Sequence, residues 1–105
     1  FNKEFIEIVI DVSKLDTINS ITIGFLDAKG SWIYLPDSIL VIKEEADGTS
    51  EPNSPLKINE EYQLIPLYAK VKRLRLLIYP KKEIPQGAEG AGNVPWTFID
   101  EIILK

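Results

Sequence analysis

Apolar side chains at every second position open this chain: Ile6, Ile8, Ile10 and Val12, with Glu7 and Asp11 between them. Successive side chains of a strand point to opposite faces, so this spacing buries one face and wets the other. The same rhythm returns in Ile21, Ile23 and Phe25, with Thr22 and Gly24 on the reverse side. A Gly inside a strand marks a bulge or a close approach by another segment, which singles out Gly24. It returns again from Val71 to Tyr79, where Leu74, Leu76 and Ile78 share one face and Arg73, Arg75, Leu77 and Tyr79 the other.

Turn residues punctuate these runs. Lys14 to Asn19 reads as a polar connection, and Asp27 to Ser31 as a loop that delivers Trp32 to Leu35 before Pro36 stops regular pairing. Ser38 to Lys43 is a further strand. Glu44 to Pro55 has little apolar content and reads as a loop, with a turn at Asp47-Gly48. Glu61 to Leu67 resumes extended character, and Pro66 within it predicts an edge strand or a bulge. A long loop, Pro80 to Pro95, precedes a last strand over Thr97 to Leu104, with Phe98, Ile102 and Leu104 set against Ile99 and Ile103. No segment carries a sustained helical stripe with caps. Short strands, Gly/Pro turns and no helix predict an all-β fold, an antiparallel β-sandwich, as one domain over 1–105.

Composition narrows the chemistry. The 105 residues include no His and no Cys, which removes thiol nucleophiles, Ser–His and Cys–His pairs, disulfides and zinc sites built on imidazole or thiolate. The net charge of −4 argues against a nucleic-acid partner and against attachment to anionic lipid through basic residues. No apolar run approaches the roughly 20 residues a membrane-spanning helix needs, so no membrane insertion is expected. Met is absent and the chain opens at Phe1, so it is expected to be a piece cut from a longer protein.

Several residues suit binding. Aromatic faces stack on sugar rings while amides and carboxylates orient hydroxyls, and Trp32 with Tyr34, and Trp96 with Asn93, fit that task beside their Gly/Pro loops. An aromatic that leads into an apolar strand is more often a core plug, so both tryptophans are expected in the core and Tyr34 and Asn93 at the surface. Gly87, Gly90 and Gly92 predict a tight loop of positive φ or close approach, since no Lys-Ser/Thr or helix follows to make a phosphate loop. Asp100 and Glu101 are adjacent on a strand, so they are expected on opposite faces, unlike a glycosidase pair. Lys70, Lys72, Arg73 and Arg75 divide between two faces, and Glu44-Glu45 and Glu60-Glu61 read as solvated charge. With no general acid/base pair to be found, an enzyme working through its own carboxylates is the least favoured reading.

Two blocks carry a resemblance. One is Gly24-Phe25-Leu26, Gly30-Ser31-Trp32-Ile33 and Leu35-Pro36; the other is Gly90-Ala91-Gly92 followed by Trp96-x-Phe98-x-Asp100-Glu101-Ile102. Together they resemble the factor V/factor VIII type C (discoidin-like) domain found at the C-terminal end of bacterial chitobiases and other β-N-acetylhexosaminidases, from about Ile8 to the end. The resemblance implies a galactose-binding-like jelly roll that serves as a non-catalytic accessory domain of a secreted, cell-surface or periplasmic glycoside hydrolase. It implies a glycan partner of the N-acetylhexosamine or galactose type, bound by end loops, and the catalytic domain of the parent chain as a neighbour. In relatives a late Glu helps hold a structural Ca²⁺, and Glu101 stands in a similar place. The family's usual N-terminal stretch, with its Asp/Asn-Gly turn and Thr-x-Trp, is missing before Phe1. The alternative weighed here is a purely structural sandwich that packs on the catalytic domain with no ligand of its own.

Overall fold

The computed structural model describes residues 5–45 and 47–105, leaving Phe1 to Glu4 and Ala46 outside the description. The alternating segments form strands, each with its apolar side turned inward. β1 (Ile6–Asp11), β2 (Ile18–Phe25), β3 (Ser38–Glu44), β4 (Ser50–Pro52), β5 (Leu56–Lys57), β6 (Tyr62–Ala69), β7 (Arg73–Tyr79) and β8 (Ile99–Leu104) follow in chain order. One short 3₁₀ turn, Lys29–Ser31, lies between β2 and β3. The chain is therefore all-β, as the alternation predicts.

The strands divide into two antiparallel sheets. The larger has the order β1-β7-β3-β4, with β5 also paired to β3; the smaller has the order β6-β2-β8. Register explains the core. Ile6, Ile78 and Ile39 form one cross-strand row, and Ile8, Leu76 and Val41 the next. On the smaller sheet Ile21 lies between Ile65 and Leu104. These rows join in one apolar cluster with Val12, Ile18, Phe25, Leu67 and Val71, so the two sheets meet face to face. Burying each such side chain contributes on the order of 2 kcal/mol. Gln63 brings a polar side chain to the inner face, opposite Ile23, with its Oε1 shielded from solvent and without a partner among the described residues.

Three expectations change. The polar stretch 44–55 is not a plain loop. The turn at Asp47-Gly48 is present, but β4 and β5 follow it, both on the edge of β3, with Asn53 N–H donating to Val41 O at 2.9 Å between them. Backbone pairing draws these polar residues into the sheet without any apolar alternation to announce it.

The last strand is also phased differently. Phe25 pairs with Ile99 but Gly24 pairs with Glu101, so Asp100 is the extra residue of a β-bulge. The bulge turns both Ile99 and Ile102 toward the core and leaves Phe98 outside. It also leaves Asp100 and Glu101 exposed together, not on opposite faces.

Gly24 answers both readings of a strand glycine. It sits at the bulge, and a Cβ there would lie 2.9 Å from the Tyr62 ring, which crosses the outer face at that point. Pro66 likewise falls on an edge strand, β6, beside a register shift.

Candidate functional site

Antiparallel register gathers the long connections at one end. β2 stops at Phe25 where β8 begins at Ile99, and β3 begins at Ser38 opposite Tyr79, the last residue of β7. Residues 26–37 and 80–98 therefore leave the sandwich side by side. Rigid strands that present long loops are a common platform for binding.

The two loops are stitched together by backbone. Ala28 and Ile33 pair around the 3₁₀ turn, and Ile33 pairs in parallel with Trp96. Trp96 N–H donates to Trp32 O at 2.8 Å, and Tyr34 N–H donates to Trp96 O at 3.0 Å. Leu26 N–H donates to Phe98 O at 3.2 Å. The two blocks that carry the sequence resemblance are thus neighbours in space.

Trp32 ends the 3₁₀ turn at φ 62, a left-handed conformation that strains a bulky residue by on the order of 1–3 kcal/mol. Its half-buried indole lies against Gly90, where a Cβ would come within 2.6 Å of Cε2. Gly90 itself has φ 83, and Gly87 and Gly92 share positive φ, as the glycine spacing predicts.

Of the four sugar-binding candidates, Trp96 and Tyr34 are placed opposite to expectation and Asn93 where it is expected. Trp96 is not a core plug: it is 64% exposed, with Val94 and Phe98 exposed beside it in sequence. The parallel pairing keeps its backbone at the rim of the end, outside the closed interior. Tyr34 is not at the surface: it is 4% exposed, with Lys29 Nζ 5.5 Å above its ring. Asn93 is exposed, but its side-chain amide donates to Gly90 O at 2.9 Å and so braces the glycine loop. Trp32 is half-buried, between the two roles.

Beside Tyr34 opens a cleft of about 710 Å³. Three lysines line it, Lys29, Lys57 and Lys81, with Asp37 as the one carboxylate among the described lining residues. Lys81 pairs with Asp37 at 3.3 Å, and Lys29 with Asp27 at 2.8 Å. Sequence reading passed over these lysines. They lie far apart in the chain, each isolated at the start or end of a connection, and only the topology brings them together.

Glu101 sits on the outer face of the smaller sheet. Asp100 and then Glu101 raise the Tyr62 phenol above its ordinary pKa of 10.0, because a phenolate would form beside two carboxylates. Ca²⁺ takes about six to eight oxygen ligands. Among the described residues no group of three or more His, Cys, Asp or Glu is placed to hold a metal ion. No helix among the described residues is long and apolar enough to cross a membrane.

The end therefore offers an exposed aromatic rim and a lysine-lined cleft, joined through Tyr34 and Trp96. Neither protein-family models nor curated proteins give a match to this chain.

Proposed function

We propose that this chain is a non-catalytic, carbohydrate-associated module with a galactose-binding-like jelly-roll fold, carried by a secreted or periplasmic glycoside hydrolase of the chitobiase or β-hexosaminidase kind. The observation that carries the reading is Trp96, 64% exposed and held by backbone hydrogen bonds on both sides. A backbone pinned at a loop end presents the exposed indole to a sugar ring as an apolar face. The sequence resemblance supports the same reading, since its two blocks converge on this end. A shallow rim buries little of its ligand, so affinity in the millimolar to high-micromolar range is expected. Titration of tryptophan fluorescence with N-acetylglucosamine and galactose oligomers, backed by a glycan array, tests it. A folded sample that answers to no saccharide would overturn it.

One observation favours a second reading, a structural domain packed on the parent's catalytic domain. The outer face of the smaller sheet carries exposed apolar side chains beside Glu101: Leu64, 58% exposed, and Ile103 flank Thr22 in one row, with Tyr62 in the next. Exposed apolar patches of several hundred Å² mark contact surfaces. Comparing the parent enzyme with and without this domain separates the readings. Lost thermal stability with unchanged action on insoluble glycan would favour packing.

A further inference from the structure

The lysine-lined cleft is cationic within a chain of net charge −4. Lys29 comes from the 3₁₀ turn, Lys57 from the end of β5 and Lys81 from just after β7. Two of the three ammonium groups are held in place. Asp27 fixes Lys29 from both carboxylate oxygens at 2.8 Å, and Asp37 fixes Lys81 at 3.3 Å. Among the described residues no ion pair engages Lys57. Asp27 and Asp37 balance two of the three charges, so the surplus positive charge of the wall is that of Lys57.

The floor is apolar. Ile58, Pro36 and Tyr34 are all buried beneath the rim. Tyr34 presents no open ring face, because it is enclosed and capped by Lys29. Stacking of a nucleobase or a neutral sugar, which needs such a face, is not what this cleft offers. A bare inorganic ion would leave the apolar floor unused. The volume of about 710 Å³ also exceeds what a small ion needs and falls in the range of roughly 300–1,000 Å³ typical of small-molecule clefts. What suits a saturated apolar floor with an ammonium rim is a saturated ring that carries an anionic substituent.

We infer that this cleft binds an anionic sugar residue, with its ring against the half-buried Leu35 of the lining and its carboxylate or sulfate on Lys57 and Lys81. Lysines act as point charges without the planar fork of arginine, so they accept either anion. The inference rests on the glycan-binding reading above and assigns the charged residue of the glycan to a place apart from Trp96.

Calorimetry and amide chemical-shift mapping on the 105-residue chain test it. The probes are trigalacturonate, a sulfated disaccharide, uncharged tri-N-acetylchitotriose, and sodium acetate and sulfate as sugar-free anions. At least one anionic saccharide is expected to bind about tenfold or more tighter than chitotriose, a step of one charge-assisted contact, and to weaken as salt rises. Which of the two wins tells carboxylate from sulfate. Shifts should centre on Leu35, Lys57 and Lys81. Lys57→Glu, at an exposed side chain, should abolish the preference without unfolding the chain, and Lys57→Ala should weaken it. Equal binding of charged and neutral sugars, or indifference to Lys57→Glu, overturns the inference. It leaves the glycan reading standing wherever Trp96→Ala removes neutral-sugar binding. Acetate or sulfate bound as tightly as the saccharides also overturns it. If no saccharide binds the folded chain, this inference and the glycan reading both fall.

Discussion

The two ends of the sandwich are built on different principles. At one, short connections close tightly through side chains next to the turn. Asp11 Oδ1 accepts from Ser13 N–H at 2.9 Å, and Asp47 Oδ1 accepts from Thr49 N–H at 3.0 Å and from its hydroxyl at 2.7 Å. At the other end, long loops are held by backbone-to-backbone bonds between distant segments and by Trp32 set against Gly90. Local turns need only their own few residues to close one end. Loops that brace each other across the chain can enclose a cleft and keep an indole outside it. The difference makes the long-loop end the candidate platform for a ligand.

Glycine substitutions probe this contrast most strongly. Gly90 and Gly48 share the left-handed conformation, at φ 83 and φ 90, but a Cβ on Gly48 meets open space. Gly90→Ala is expected to cost about 2–4 kcal/mol, from positive φ together with collision against Trp32. Gly48→Ala should cost about 1 kcal/mol, from φ alone. Urea unfolding of both variants measures the gap, and equal costs would break the contrast between the ends.

Trp96→Ala comes next. Its exposure predicts a stability loss below about 1 kcal/mol, together with loss of any neutral-sugar binding. A loss of several kcal/mol would return Trp96 to the core.

The smallest effects are electrostatic, and the two ends should show them at opposite limits of pH. At the turn end the Ser13 and Thr49 hydrogen bonds hold Asp11 and Asp47 below their ordinary pKa of 3.8. A lowered folded-state value stabilises above 3.8, and that stability is lost as pH falls through the folded value. Urea midpoints should therefore drop with acid, and less so in Asp11→Asn/Asp47→Asn. At the loop end Tyr62 is raised above 10.0 by Asp100 first and Glu101 second. Its contribution is complete below 10.0 and is lost as pH climbs through the folded value. Ultraviolet titration should show the phenol ionising late, and earlier in Asp100→Asn/Glu101→Gln.

Much of the frame was legible because it depends on strict alternation. β1 and β7 each keep one apolar face over their whole length with nothing in their mutual register to interrupt it, and β2 keeps its own from Ile21 to Phe25. Single extra residues hid the rest. The bulge at Asp100 reverses the phase of everything before it in β8, so Phe98 and Ile99 exchange sides and the two carboxylates come together. β4 and β5 are only three and two residues long, without alternation, and their strand character comes from β3 beside them. The site was half legible for a related reason. Trp32 and Trp96 stood out as aromatics beside glycine loops, but which of them faces water depends on long-range pairing that local sequence does not encode. The same holds for Tyr34, and more so for Lys29, Lys57 and Lys81.

Pro66 on β6 has one more consequence. Ser20 turns its N–H toward Lys105 O on the far side, so the Ser20–Pro66 pair is the open kind and the proline nitrogen faces the free border of the sheet. The opposite border, β8, is kinked by its own bulge at Asp100. Neither margin offers an uninterrupted ladder onto which a stray strand could zip. The small sheet is thus guarded against fibrous polymerisation at both margins even while the Leu64 and Ile103 side stays open, so a partner of this sheet would lie flat against that side.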